Sequence, residues 1–145
     1  MLRIAKMTDY AFVVLQKLCE RDEESLSAQK LSQITGLGEP TVSKVLKMLS
    51  KAELVKSVRG AGGGYSAIKT TQDITVLDVI EAVEGDVSFV ACVDETHDCI
   101  ISQNCPLQGR WDPINDAIRK TLQDWTLADL SQNQKQFLKQ VGSGA

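Results

Sequence analysis

No apolar run in this 145-residue chain is long: stretches such as AFVVL stop far short of the roughly 20 residues that cross a bilayer. The opening MLRIAKMTDYAFVVL holds an acidic residue and no small-residue cleavage site, which argues against a secretory signal. The chain is therefore expected to stay in a reducing cytoplasm, where thiols remain reduced. Histidine is nearly absent. His97 stands alone, beside no plausible nucleophile, and no phosphate-binding loop appears, so nothing points to an enzyme. Prolines number three, and 43% hydrophobic with 24% charged residues is an ordinary globular composition.

Charge is present but unevenly divided. The net charge is −3, yet residues 1–69 carry 11 Lys+Arg against 7 Asp+Glu (+4), and residues 70–145 carry 5 against 12 (−7). Only the first half is suited to meet a polyanion.

That half reads as a helix-turn-helix. Thr8 caps a first helix carrying Ala11, Val14, Leu15 and Leu18 and ending near Arg21. Ser27 caps a second through Leu31 and Ile34, stopped by Gly36. After the GLGEP turn, Pro40 opens a third helix whose inner face is Val42, Val45, Leu46 and Leu49. Its outer face shows Lys44, Lys47 and Lys51, which fits a recognition helix and equally a solvated lysine stripe.

The next segment favours DNA. LVKSVRGAGGGYSAIK gives a strand (Leu54 to Val58), a glycine turn (Gly60 to Gly64) and a second strand (Tyr65 to Ile68). Gly62, Gly63 and Gly64 allow positive φ and close backbone approach. A nucleotide loop would need a helix straight after the glycines, whereas β-type YSAI follows. A hairpin placed here is a wing, with Arg59 at its tip suited to a narrow minor groove. Glu39, Thr41, Ser43 and Lys44 are placed for base edges, and Lys47, Lys51 and Lys56 for phosphates. Gly62 and Tyr65 of the wing complete the DNA-contact set. Glu39 serves equally well as a first-turn acid complementing the helix dipole.

In the second half, DITVLDVIEAVEG puts Val76, Val79, Ile80 and Val83 on one face and stops at Gly85. Further on, Trp111, Ile114, Ile118, Leu122 and Trp125 form an apolar seam over more than three turns. Such a seam either closes the core or pairs with its copy in a twofold dimer, and the dimer is the reading adopted. Thr126 and Asp129 start a last helix like a capping box.

Three of the four cysteines lie in ACVDETHDCIISQNCPL, at Cys92, Cys99 and Cys105, separated by polar, aperiodic sequence. Converging thiolates in a reducing compartment call for a soft metal centre. Structural zinc with His97 as fourth ligand is one reading, though these gaps exceed the usual zinc spacing. An iron–sulfur cluster is another, and a metal-free thiol switch a third. Spacing weighs zinc and cluster equally and puts the switch behind them. Cys19, on the first helix, is most simply a core residue.

Taken together, VRGAGGGY, ITVLDVIEAVEG, the three-cysteine loop and TLADL, in that order, resemble the Rrf2 family of winged-helix regulators, which includes IscR and NsrR. MLRIAKMTDYA resembles the proteobacterial branch regulating SUF iron–sulfur assembly genes. The resemblance implies a homodimer that binds operator DNA under control of a 2Fe-2S or 4Fe-4S cluster held by Cys92, Cys99 and Cys105. IscR-like members put a histidine three residues after the third cysteine, where this chain has Gln108. NsrR-like members use an aspartate from the other subunit near the start of the first helix, and Asp9 matches it. The resemblance therefore favours Asp9 over His97 as fourth ligand.

The expected architecture is mainly α with a small β-hairpin: a winged helix-turn-helix domain (1–70), a connector helix (71–90), a cysteine loop (91–108), and a long dimerisation helix with a C-terminal helix (109–145). The expected function is repression of SUF-type genes. A nitric-oxide or redox sensor of the same family, or a zinc-binding interaction module, is the alternative.

Overall fold

A computed structural model describes residues 3–21, 24–90 and 104–132. Its elements run α1 (Lys6–Cys19), α2 (Ala28–Thr35), α3 (Glu39–Lys51), β1 (Val55–Val58), β2 (Gly64–Ala67), α4 (Val76–Glu84) and α5 (Asp112–Asp124). Residues 127–132 are again helical. The architecture is thus mostly helical with one antiparallel hairpin, β1 against β2.

α1 begins two residues before the expected Thr8 cap, with Ala5 as its N-cap, and ends at Cys19 rather than near Arg21. Thr8 sits inside the first turn, fully buried. Its hydroxyl donates to Glu84 Oε1, which also accepts the Ala5 N–H at 3.0 Å. A carboxylate from the end of α4 therefore does the work assigned to Thr8, satisfying an orphan N–H at the positive end of the helix dipole. Ala11, Val14, Leu15 and Leu18 fall one turn apart and are all buried.

α2 starts and stops where its end residues require. Ser27 accepts from the Lys30 N–H at 3.1 Å, and Gly36 closes the helix in the left-handed region at φ 75°. α3 has Gly38 as N-cap, which moves Pro40 to its second helical position. The α3 residues Val42, Val45, Leu46 and Leu49 are fully buried. They join the α1 face, Leu26, Leu31, Leu54, Val55, Ile74, Val79 and Leu127 in one core.

α4 is fixed by a reciprocal capping box, Thr75 with Asp78, and buries Val76, Leu77, Val79 and Ile80, while Val83 packs at the core edge. The chain after α5 returns to the start of α4: the Val76 N–H donates to Trp125 O at 2.8 Å and the Leu127 N–H to Ile74 O at 2.9 Å. A second capping box joins Thr126 to Asp129, and hydrogen bonds from the Thr126 backbone and side chain hold the Asp129 carboxyl below its ordinary pKa. α5 itself leans on α4 through polar groups. Arg119 pairs with Glu81 at 2.7 Å and with Asp86, and Asn115 accepts the Phe89 N–H at 2.9 Å.

The seam of α5 does not close the core. Asn115, off the seam, is the one buried residue of α5, whereas on the seam Ile114 and Trp125 stay 47% and 45% exposed and Trp111, Ile118 and Leu122 are half-buried. Of the two readings of this seam, closure of the core is therefore the one the structure sets aside.

α3 ends in a Schellman arrangement: the Leu54 N–H donates to Leu49 O at 2.9 Å and the Glu53 N–H to Ser50 O at 3.1 Å. Glu53 holds the left-handed position at φ 58°, the one non-glycine residue at positive φ among those described. Glycine avoids the Cβ penalty there, so Glu53→Gly should raise unfolding free energy by about 0.5–1 kcal/mol in chemical denaturation.

Candidate nucleic-acid interface

With Val42, Val45, Leu46 and Leu49 buried, helical geometry turns Lys44, Lys47 and Lys51 to solvent, and all three are exposed. Glu39 is exposed at the helix start, and Thr41 and Ser43 are half-buried beside it. Lys44, Lys47, Lys51, Lys56 and Arg59 form no ion pair with any other described residue. Their charge is therefore not spent inside the protein, and the face can attract phosphate.

The wing rests on a connection that the sequence reading did not foresee. Leu26 pairs with Tyr65 as an isolated antiparallel bridge, through Leu26 N–H to Tyr65 O (2.9 Å) and Tyr65 N–H to Leu26 O (2.8 Å). The Ser25 hydroxyl donates to Gly62 O. The segment before α2 thus pairs with the wing at a single position. Its only sequence signal is a lone leucine between polar residues.

This bridge explains the glycines. A Cβ on Gly64 would lie 2.5 Å from the Leu26 carbonyl carbon and oxygen, and one on Gly63 would lie 2.6 Å from Val58 O. Gly62 faces open space, and the positive φ of the turn belongs to Gly60, at 114°, not to Gly62, Gly63 or Gly64. Close approach is the constraint at Gly63 and Gly64.

The strand register sorts the wing residues. Val55 pairs with Ala67 and Ser57 with Tyr65 on the inward face, and Lys56 with Ser66 on the other. Tyr65, half-buried, packs against the core, which makes it a support of the wing. Arg59 and Gly62 are exposed at the tip. Lys56 is exposed as well, but on the outer face of the hairpin.

The sulfur side is described in part. Cys105 is half-buried in the turn leading to α5, and the exposed Gln108 donates its backbone N–H to Cys105 O at 3.2 Å. Asp9 is exposed in the first turn of α1. Cys92, His97 and Cys99 lie outside the described residues. Among the described residues no three His, Cys, Asp or Glu side chains gather as a metal site.

The family model for Rrf2, iron-dependent transcriptional regulator, matches residues 4–133, which take in the helix-turn-helix, wing, cysteine segment and α5. The chain belongs to the Rrf2 family of transcriptional regulators. It is 29% identical over 143 residues to the HTH-type transcriptional regulator NsrR of Oceanobacillus iheyensis, covering 97% of each chain. It is similar in structure to CymR, the global cysteine regulator of B. subtilis, at TM-score 0.68 and 30% identity, covering 92% of this chain and 98% of that one. Similarity to IscR of T. potens follows at TM-score 0.63 and 29% identity, covering 91% and 88%. An Rrf2 chain is a DNA-binding regulator and not an enzyme. No helix among the described residues is long and apolar enough to cross a membrane.

Gly64→Ala should lower stability by about 1–3 kcal/mol, because the Leu26 backbone would have to shift. Gly62→Ala should stay within about 0.5 kcal/mol of the parent. Parallel urea titrations of the two variants check the difference.

Proposed function

We propose that this Rrf2 regulator acts as a homodimer that represses SUF-type iron–sulfur assembly genes. Operator binding answers an iron–sulfur cluster held by Cys92, Cys99 and Cys105, with Asp9 of the partner subunit as fourth ligand. One observation carries the DNA half of this reading: the lysine face of α3 stands exposed and unpaired beside a hairpin locked to Leu26. Glu39, Thr41, Ser43 and Lys44 are assigned to base edges, and Lys47, Lys51 and Lys56 to phosphates.

The cluster half is supported by chemistry and kinship. Cys105 is a half-buried thiol and Asp9 an exposed carboxylate, so neither is sealed in the core of its own chain. The family is described as iron-dependent, and IscR and NsrR are among the similar proteins. Thiolates bind iron softly, whereas a carboxylate is harder and exchanges readily, which suits a sensor that must lose its centre. The cluster, 2Fe-2S or 4Fe-4S, supplies electron transfer and reactivity toward oxidants that the side chains lack. The exposed apolar residues of α5, Ile114 and Trp125, fit pairing with a second copy around a twofold axis. A ligand donated across that axis links cluster occupancy to the placement of the two α3 helices.

The likeness to the global cysteine regulator CymR favours a second reading, in which the same thiols answer redox state without iron.

Lys47→Ala should weaken DNA binding evenly across sequences and reduce the slope of log affinity against log salt by about 0.9. A change in base preference would instead place Lys47 at a base edge. Protein purified without oxygen should be brown and contain inorganic sulfide, and Cys92→Ala, Cys99→Ala or Cys105→Ala should remove the colour. Colourless thiol-active protein would favour the second reading, and one zinc per chain an interaction module.

A further inference from the structure

A half-open groove of about 1050 Å³ lies on the outer side of the hairpin, and of its lining only Lys56 is also assigned to DNA. One wall is the C-terminal end of α1, with Leu18 and Arg21, another is the outer face of β1 and β2, and the segment 68–73 closes the third side. Its volume is that of a small-molecule site, which commonly spans roughly 300–1,000 Å³.

The lining has a definite chemistry. Arg21, Lys56 and Lys69 bring three cations to it. Among the described residues Asp73 is the one acid on its walls, and its carboxylate already accepts the Thr70 hydroxyl at 2.6 Å. Arg21 is loosely engaged by the exposed Glu24 at 3.5 Å, while Lys56 and Lys69 have no ion-pair partner among the described residues. Apolar surface lies between the charges: Val58 and Ile68 are 39% and 48% exposed.

Ser66 gives independent evidence of a missing partner. It stands opposite Lys56 in the register, on the groove side of the hairpin, and is 9% exposed. Its hydroxyl oxygen has no exposed surface and makes no hydrogen bond, so it meets an occupant of the groove only after rotating about its Cα–Cβ bond. Such a group is disfavoured in a folded protein unless a bound species satisfies it.

We propose that this groove binds a small organic anion, a carboxylate or phosphate head on an apolar body. Lys56, Lys69 and Arg21 surround the head, Ser66 donates to it, and Val58 and Ile68 cover the body. The occupant bridges α1 to the wing hairpin, which would make it a second input to the regulator, separate from the cysteine segment.

Phenyl phosphate is a suitable probe, with inorganic phosphate and phenol as its separated halves. Titrated into the full chain and followed by amide NMR, it should bind saturably in the millimolar range, with shifts confined to residues 18–21, 56–58 and 66–73. Each half alone should bind at least about tenfold more weakly. Ser66→Ala and Lys69→Gln should each weaken the probe about five- to tenfold. Ser66→Ala should keep or raise the melting temperature, because it deletes an unpaired buried hydroxyl. Lys47→Ala should leave probe binding unchanged. Absence of saturation, shifts scattered over the surface, or a Ser66→Ala variant that melts lower would overturn the proposal. So would operator DNA competing with the probe while Ser66→Ala weakens DNA equally, since the cations would then belong to a phosphate contact of the duplex.

Discussion

The packing of α3 against α1 is the constraint on which the molecule depends. Val42, Val45, Leu46 and Leu49 reach zero exposure only with that one face inward, against Ala11, Val14, Leu15 and Leu18. Once it is chosen, the helical period dictates where Lys44, Lys47 and Lys51 stand. Burial of such residues contributes roughly 1.5–3 kcal/mol each, far more than exposed lysines lose by standing near one another. The core therefore orients the basic face, and the charge does not have to organise itself.

Two long-range polar ties extend that order. The backbone bridge from Leu26 to Tyr65 fixes the wing against the segment entering α2, so hairpin and helix-turn-helix form one surface. Glu84 caps the start of α1 from the end of α4. That contact places Asp9 next to a junction between the basic half and the acidic half. A change in the second half thus has a physical route to the first, through a helix end packed on the core.

Most of the fold was legible because its signals are local. Ser27 and Gly36 bound α2 as their chemistry requires, and the apolar spacing of α1, α3 and α4 predicted their buried faces. What escaped depends on residues distant in sequence. The capping of α1 by Glu84 crosses 76 positions, so Thr8 looked like the cap. The pairing of Leu26 with the wing gave no periodic signal, so the glycine run was read for φ freedom and close approach together, and at Gly63 and Gly64 only close approach is the constraint. Asn115, buried on α5 by the Phe89 N–H, could not be separated from its polar neighbours by pattern. On the site, the lysines of α3 followed directly from the apolar face, whereas Tyr65 turned inward because register, not residue type, decides which way a strand residue faces.

The central claim is that the core-determined outer face of α3, together with the wing tip, is where this Rrf2 regulator meets DNA. Amide NMR of the full chain bound to an operator duplex tests it most directly. The account predicts that the largest shifts fall on residues 39–47 and 58–63, with α4 and α5 nearly silent. Shifts concentrated on α4 or α5, with the α3 face unchanged, would contradict it.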